Sequence, residues 1–155
     1  MLAPSLDQQL CFAVYSAGLA FNRAYKSLLE PLGLTYPQYL VMLALWSTDD
    51  RTVGALGEAL FLESSTLTPL LKRLEAQGLV SRTRDPDDER QVRIRLTAAG
   101  RALAERAEAV PRCMLTATGL SADGAGRLVA EVGKLRDRLL AAEPGPPGAQ
   151  DEGCN

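Results

Sequence analysis

The apolar positions of this chain follow two rhythms, helical over most of its length and alternating in one short stretch past the middle. Leu10, Val14, Ala17 and Phe21 recur at helical spacing and predict a long first helix from Asp7 to Glu30, ended by Pro31 and Gly33. A second helix is expected from about Tyr36 to Trp46, opened by Thr35 and Pro37, before a polar break at Asp49 and Asp50. Thr52 is placed to cap a short helix, Val53 to Leu60, with Val53, Leu56 and Leu60 facing inward. A tight break at Leu62-Glu63-Ser64 leads to another helix, Ser65 to Gln77, closed by Gly78. There the period changes. Val92, Ile94 and Leu96 alternate with Arg93 and Arg95, the pattern of a half-buried strand. Leu79 to Arg84 alternates more weakly and is expected to pair with it across Asp85-Pro86-Asp87-Asp88. Thr97 then caps a helix running to about Thr116, and Ser121 opens a last one with an apolar stripe of Leu128, Val132, Leu135 and Leu139.

This order predicts a mainly α protein with a small β-hairpin. A single domain over residues 1–143 is expected, with a winged helix-turn-helix core at about 36–96. The tail, residues 144–155, is rich in Pro and Gly and expected to be disordered. Helices at both ends carry long apolar faces with no partner inside so small a domain. Two chains are therefore expected to pack these ends together as a homodimer.

Composition narrows the function classes. The chain has 155 residues, 46% hydrophobic and 23% charged, ordinary for a soluble globular protein. No apolar run approaches the ~20 residues of a membrane span. The opening MLAPSLDQQL lacks the features of a signal peptide, so a cytoplasmic location is expected. Histidine is absent, which removes the usual general base and the commonest metal ligand. Neither an enzyme nor a metal or cofactor site is expected. The net charge of −2 argues mildly against nucleic acid, but a duplex demands local rather than total positive charge.

That local charge is present. On the helix from Ser65, Leu67, Leu70, Leu71 and Leu74 would bury one face, leaving Ser65, Thr68, Pro69 and Lys72 on another. Small hydroxyls followed by Lys72 and Arg73 suit base edges and phosphates in a major groove. Pro69 removes one backbone donor near the helix start. The ribbon carries Arg82, Arg84, Arg90, Arg93 and Arg95 among Asp85, Asp87, Asp88 and Glu89. Arg90 at its tip could enter a minor groove, with Asp88 holding the guanidinium. The same charges also fit a solvated, self-paired surface.

The stretch TVGALGEALFLESSTLTPLLKRLEAQGLVSRTRDPDDERQVRIRLTAAG resembles the DNA-binding core of the MarR (multiple antibiotic resistance regulator) family, with DPDDER…LT its strongest mark. The resemblance covers roughly Asp7 to Leu140. It implies a homodimer on a pseudo-palindromic duplex, one recognition helix per half-site, and Asp88 and Arg90 as the wing-tip pair. Candidate DNA contacts are Ser64, Ser65, Thr66, Thr68, Pro69, Lys72, Arg73, Arg82, Arg84, Asp88, Arg90 and Arg93.

Cys11, Cys113 and Cys154 are far apart and contain no CxxC pair, so they are either inert thiols or redox-active ones. The segment LDQQLCFAVYSAGLAFNRAYKSLLEPLGLTYPQYLVMLALW resembles the organic-hydroperoxide-resistance repressors (OhrR) within that family. That resemblance implies that Cys11 is the peroxide sensor and that Tyr15, Tyr25 and Tyr36 contact it. It also implies that Cys113 pairs with the oxidised Cys11; Cys154, in the tail, is read as incidental or as a flexible competing thiol. Tyr25 lies fourteen residues after Cys11, about 21 Å along one helix, so any contact between them must come from the partner chain. Three other readings fit parts of the same residues. A small phenolic or aromatic ligand could release the DNA with Cys11 structural, the thiol could serve a peroxidase, or the winged helix could bind only protein.

Overall fold

A computed structural model describes residues 5–142. A 3-10 turn, Leu6–Gln8, precedes α1 (Leu10–Leu29), and a second, Glu30–Leu32, follows it. The first helix is shorter than its apolar spacing predicts because Gln9 adopts an extended backbone and restarts the helix behind it. Helix α2 (Tyr36–Ser47) opens with a capping box: the Thr35 hydroxyl accepts from the Gln38 N–H, and the Gln38 side chain accepts from the Thr35 N–H. A two-residue strand β1 (Arg51–Thr52) leads into α3 (Val53–Leu60), whose cap is Thr52 as expected. Helix α4 (Ser64–Ala76) follows, and Gly78 beyond it takes φ 73°, a conformation glycine adopts without strain.

Strands β2 (Val80–Arg84) and β3 (Val92–Leu96) form the antiparallel ribbon, Val80 opposite Leu96 and Arg84 opposite Val92. Strand β1 pairs with the other edge of β3, giving a three-stranded sheet in the order β1-β3-β2. Two residues carry no readable period, so pattern alone predicts only the hairpin. The helix expected from Thr97 to about Thr116 is in fact two, α5 (Ala98–Ala107) and α6 (Val110–Thr118). Pro111 cannot donate to the Ala107 carbonyl, and the chain turns at Glu108 and Ala109 instead. Helix α7 (Ala122–Ala141) starts at the Ser121 cap. The tail and Cys154 lie outside the described residues.

The chain divides into two units, one ending at Met114 and the other starting at Leu115. In the first, Leu29, Val41, Met42, Leu45, Leu56, Leu67, Leu74 and Ile94 are fully buried in one core. Leu67, Leu70, Leu71 and Leu74 form the inner face of α4, as their spacing requires, and the helix runs through Pro69. Large apolar side chains stay exposed along α1, among them Leu10, Val14, Leu19 and Phe21. In the second unit, Leu128, Val129, Val132, Leu139 and Leu140 of α7 are exposed as well.

Helix α5 meets the entry to β2 at its closest point. The Leu79 carbonyl accepts from the Thr97 N–H at 3.1 Å, and a Cβ added to Gly100 would stand 2.0 Å from that same oxygen. Trp46 Nε1 donates to the Gly100 carbonyl at 2.9 Å, fixing the helix from its other side. Gly100→Ala is therefore expected to destabilise the fold by about 1–3 kcal/mol through forced backbone movement. Urea unfolding should show a lowered midpoint with an unchanged slope.

Candidate functional site

Burial of the leucine row turns the opposite face of α4 outward. Ser64, Ser65, Thr66, Pro69, Lys72 and Arg73 are exposed and Thr68 is half-buried. Beside them lies an open groove of about 610 Å³, walled by Thr52–Ala55 and Glu58 of α3, by Ser64 and Thr68, and by Arg82, Arg90, Gln91 and Val92. Three elements thus present hydroxyls, backbone and two guanidinium groups to one channel. Arg82 is half-buried there; its Nη1 lies 3.6 Å from Glu75, and its Nε is buried without a hydrogen-bond partner among the described residues. Arg84 is exposed at the end of β2.

At the ribbon's tip, Arg90 projects with 91% of its side chain exposed. Asp88 Oδ1 accepts from both the Arg90 N–H and Nε, each at 3.1 Å. The Arg90 guanidinium, then its backbone N–H, hold the Asp88 carboxyl below the usual carboxylate range. Sequence spacing suggested this pair, and the geometry makes it. Arg93 is placed differently. It points back from β3 between Asp50 (2.7 Å) and Asp85 (2.9 Å), which no sequence pattern links to it.

The thiols lie apart from this face. Cys11 is the second residue of α1, and Cys113 sits in α6; both are free and exposed. Tyr15, one turn after Cys11, is exposed on the same helix. Tyr25 is near the far end of α1, where its ring stacks on Tyr36 with centroids 4.3 Å apart. Tyr39 completes the cluster, 5.8 Å from Tyr25, and its own ring meets Trp46 edge-on. The chain therefore brings Tyr25 and Tyr36 together but leaves Cys11 and Tyr15 at the opposite end of a 20-residue helix. Tyr39 was not singled out from sequence, although it follows Tyr36 by three residues on one helix.

The tyrosine cluster is linked to the end of α4. Gln38 Nε2 donates to Gln77 Oε1 at 3.4 Å, and Gln77 Nε2 donates to the Gly33 carbonyl at 2.9 Å. Gln77 is the C-cap of α4, so the turn that introduces Tyr36 is hydrogen-bonded to the end of that helix. Next to this turn, Asn22, Lys26, Glu30, Thr35 and Tyr36 line an open cavity of about 590 Å³.

A helix with one buried and one hydroxyl-rich face, introduced by a short capped helix and flanked by an arginine-bearing ribbon, is the winged helix-turn-helix arrangement of a transcriptional regulator. Comparison with known proteins narrows the class. The family model described as transcriptional regulator SarA/Rot matches residues 23–107. The chain is 53% identical over 137 residues to the HTH-type transcriptional regulator TtmR of Methylorubrum extorquens (strain PA1), covering 88% of this chain and 70% of that protein. It is 48% identical over 110 residues to the organic hydroperoxide resistance transcriptional regulator of Bacillus subtilis (strain 168), covering 71% of this chain and 75% of that protein. Among solved structures, AbfR of Staphylococcus epidermidis superposes with a TM-score of 0.74 at 37% identity, covering 88% of this chain and 95% of that one. The chain belongs to the MarR family of transcriptional regulators, in its organic-hydroperoxide-resistance branch.

The tyrosine cluster has a titration signature. Burial, and then the neighbouring Tyr36 and Tyr39, push the Tyr25 phenol from 10.0 up to about 12, and burial raises Tyr36 and Tyr39 too. A raised folded-state value means the neutral phenol stabilises the fold below pH 10, and that contribution disappears as pH rises from 10 through about 12. Ultraviolet titration should show Tyr25→Phe losing a tyrosine step near pH 12.

Proposed function

We propose that this protein is a dimeric repressor that holds its operator when reduced and releases it when an organic hydroperoxide oxidises Cys11. The observation that carries the reading is the placement of the thiol and the tyrosines. Cys11 is exposed at the second position of α1, where the helix dipole favours an anion. Tyr25 lies too far along the same helix to reach it, and Tyr36 of α2 is stacked on Tyr25 at that far end. An antiparallel partner would bring its own Tyr25–Tyr36 pair to this Cys11. The exposed apolar residues of α1 and α7 supply the surfaces for such a partner. The working domain is then residues 1–143, with 36–96 reading DNA and the flanking helices joining the two chains.

The chemistry needs only the thiolate and the peroxide. The Cys11 sulfur attacks the outer oxygen of the hydroperoxide, the O–O bond breaks, and the alkoxide leaves as an alcohol after taking a proton. Phenol hydroxyls from Tyr15, and from the partner's pair, hydrogen-bond the thiolate before attack. The sulfenic acid condenses with the Cys113 thiol of the other chain, forming an S–S bond and releasing water. Apolar neighbours such as Leu10, Phe12 and Val14 favour an organic peroxide over hydrogen peroxide. Drawing two sulfurs to bonding distance moves the helices that carry them. The Gln38–Gln77–Gly33 hydrogen bonds tie the tyrosine turn to α4 and offer that movement a route to the DNA face. AbfR has been solved reduced on DNA and in a disulfide-formed state, which supports a thiol switch in this branch of the family.

On DNA, Ser64, Ser65, Thr66, Thr68 and Pro69 approach base edges in the major groove. Lys72, Arg73, Arg82 and Arg84 serve phosphates, and Arg90, held by Asp88, enters the minor groove. Two such faces would sit about 34–36 Å apart on one side of a duplex. A second reading draws on the cavity beside Tyr36, with Lys26 in its wall, which has the size for a small aromatic ligand that releases DNA with Cys11 passive.

DNA retention by the reduced protein, before and after one equivalent of an organic hydroperoxide, separates these readings. The wild type should let go and Cys11→Ser should hold. Switching from nearly full to nearly empty occupancy requires about 5.5 kcal/mol of differential binding. Release of both proteins, or of neither, would remove Cys11 as the switch and leave the ligand reading. A second outcome concerns the resolving thiol. On a non-reducing gel the peroxide-treated wild type should migrate as a cross-linked dimer, and Cys113→Ser should not. A persisting cross-link would transfer that role to Cys154.

A further inference from the structure

Arg93 was among the candidate DNA contacts, yet its guanidinium is held by the protein's own carboxylates, with 27% of the side chain exposed. Nε donates to Asp50 Oδ1 at 2.7 Å, Nη2 to the Asp50 carbonyl at 2.8 Å, and Nη1 to Asp85 Oδ2 at 2.9 Å. Each of its three nitrogens has an acceptor. Asp50 sits at the corner between α2 and β1 with φ 58°, and also accepts from Arg95. Asp85 is only 7% exposed, at the base of the wing turn. Its other carboxylate oxygen accepts from the Asp87 N–H at 2.8 Å and the Asp88 N–H at 3.3 Å. Asp88 in turn holds Arg90. A continuous chain of charge-assisted hydrogen bonds therefore runs from the Asp50 corner, through Arg93 and Asp85, to the guanidinium at the tip.

We infer that Arg93 is a positioning residue and not a DNA contact: with Asp50 and Asp85 it forms a bracket that shapes the wing turn and aims Arg90 at the minor groove. The inference rests on the DNA-binding reading above and assigns the wing's charges between two tasks. A phosphate approaching Arg93 would meet two carboxylates first, and capturing the guanidinium would break three charge-assisted bonds. The mutual hydrogen bonds hold Asp50 and Asp85 below the usual carboxylate range and Arg93 above the usual arginine value. All three groups thus stay charged wherever the protein is folded near neutrality. An ordered tip loses less freedom on binding, and this is how the bracket adds affinity without touching the duplex.

The bracket can be tested with and without DNA. In the free, reduced protein, amide hydrogen exchange should speed up at Asp87, Asp88 and Gln91 in Arg93→Gln and in Asp85→Asn, while the α4 amides stay protected. Unchanged exchange at the tip in both variants would overturn the bracket, whether or not the protein binds DNA. The second arm uses a duplex selected by the wild type from a random-sequence pool, with affinity measured across a salt series. Arg93→Gln should weaken binding about tenfold, because an ordered side-chain turn is lost. The slope of log affinity against log salt should not change, whereas each lost phosphate contact would lower it by about 0.9. Asp85→Asn is the sharper probe. It removes a negative charge beside DNA, so a purely electrostatic role predicts tighter binding and the bracket predicts weaker. Arg93→Gln should also add little to Arg90→Gln, since one acts through the other. A reduced salt slope, tighter binding by Asp85→Asn, or full additivity would each return Arg93 to the DNA contacts. If the wild type selects no duplex while the exchange result holds, the DNA-binding reading fails and the bracket stands.

Discussion

Leu67, Leu71 and Leu74 are sealed at 0–1% exposure in the core, and this burial decides what α4 can present to anything else. Each fully buried leucine contributes about 2 kcal/mol by removal from water, so rotating the helix to hide its hydroxyls would cost several times that. Ser64, Ser65 and Lys72 are outward as a consequence. Pro69 shows how firmly the row holds: the helix accepts a missing backbone donor in its second turn without leaving its place. The groove between α3, α4 and the ribbon follows from the same packing, because Leu56 and Ile94 are buried in the same core.

Charge is organised around a second constraint, the corner at Asp49 and Asp50. Asp49 accepts from the Leu96 N–H at 2.9 Å and from Arg101 at 2.9 Å, while Asp50 takes Arg93 and Arg95. Two adjacent carboxylates thus fasten β3 and α5 to the end of the β1 loop. This explains how a chain of net charge −2 can carry a basic face. Asp49, Asp50, Asp85 and Asp88 are each held by arginines of the protein itself, whereas Lys72, Arg73 and Arg84 are exposed. Within the ribbon, Arg93 and Arg95 are paired to Asp50, and Arg90 projects at the tip beside Asp88.

Under the proposed function, redox sensing depends on an incompleteness. One chain gathers Tyr25, Tyr36 and Tyr39 at one end of α1 and exposes Cys11 and Tyr15 at the other. Neither end is a finished site. Joining two chains through the exposed apolar faces would complete both at once, and the proposed sensing would then require the dimer. The hydrogen bonds from Gln38 to Gln77 then matter because they begin at the tyrosine turn and end at the C-cap of α4.

Much of this was legible without coordinates wherever the cause is local. The caps at Thr52, Thr97 and Ser121, the stop at Gly78, the leucine row of α4 and the alternation of β3 depend on residues within a few positions of one another. Each appears where its pattern places it. The Asp88–Arg90 pair, two residues apart, was readable for the same reason. A signal for the division of α5 from α6 was available too, since Pro111 cannot donate to the Ala107 carbonyl, but the apolar rhythm across it masked the break. What only the tertiary structure decided are relations between distant segments. Arg93 meets Asp50 across 43 residues, Gln38 meets Gln77 across 39, and Gly100 must be small because the Leu79 carbonyl passes beside it. Periodicity records which face of an element is buried. It carries no record of which partner lies against that face, because that depends on how the whole core packs.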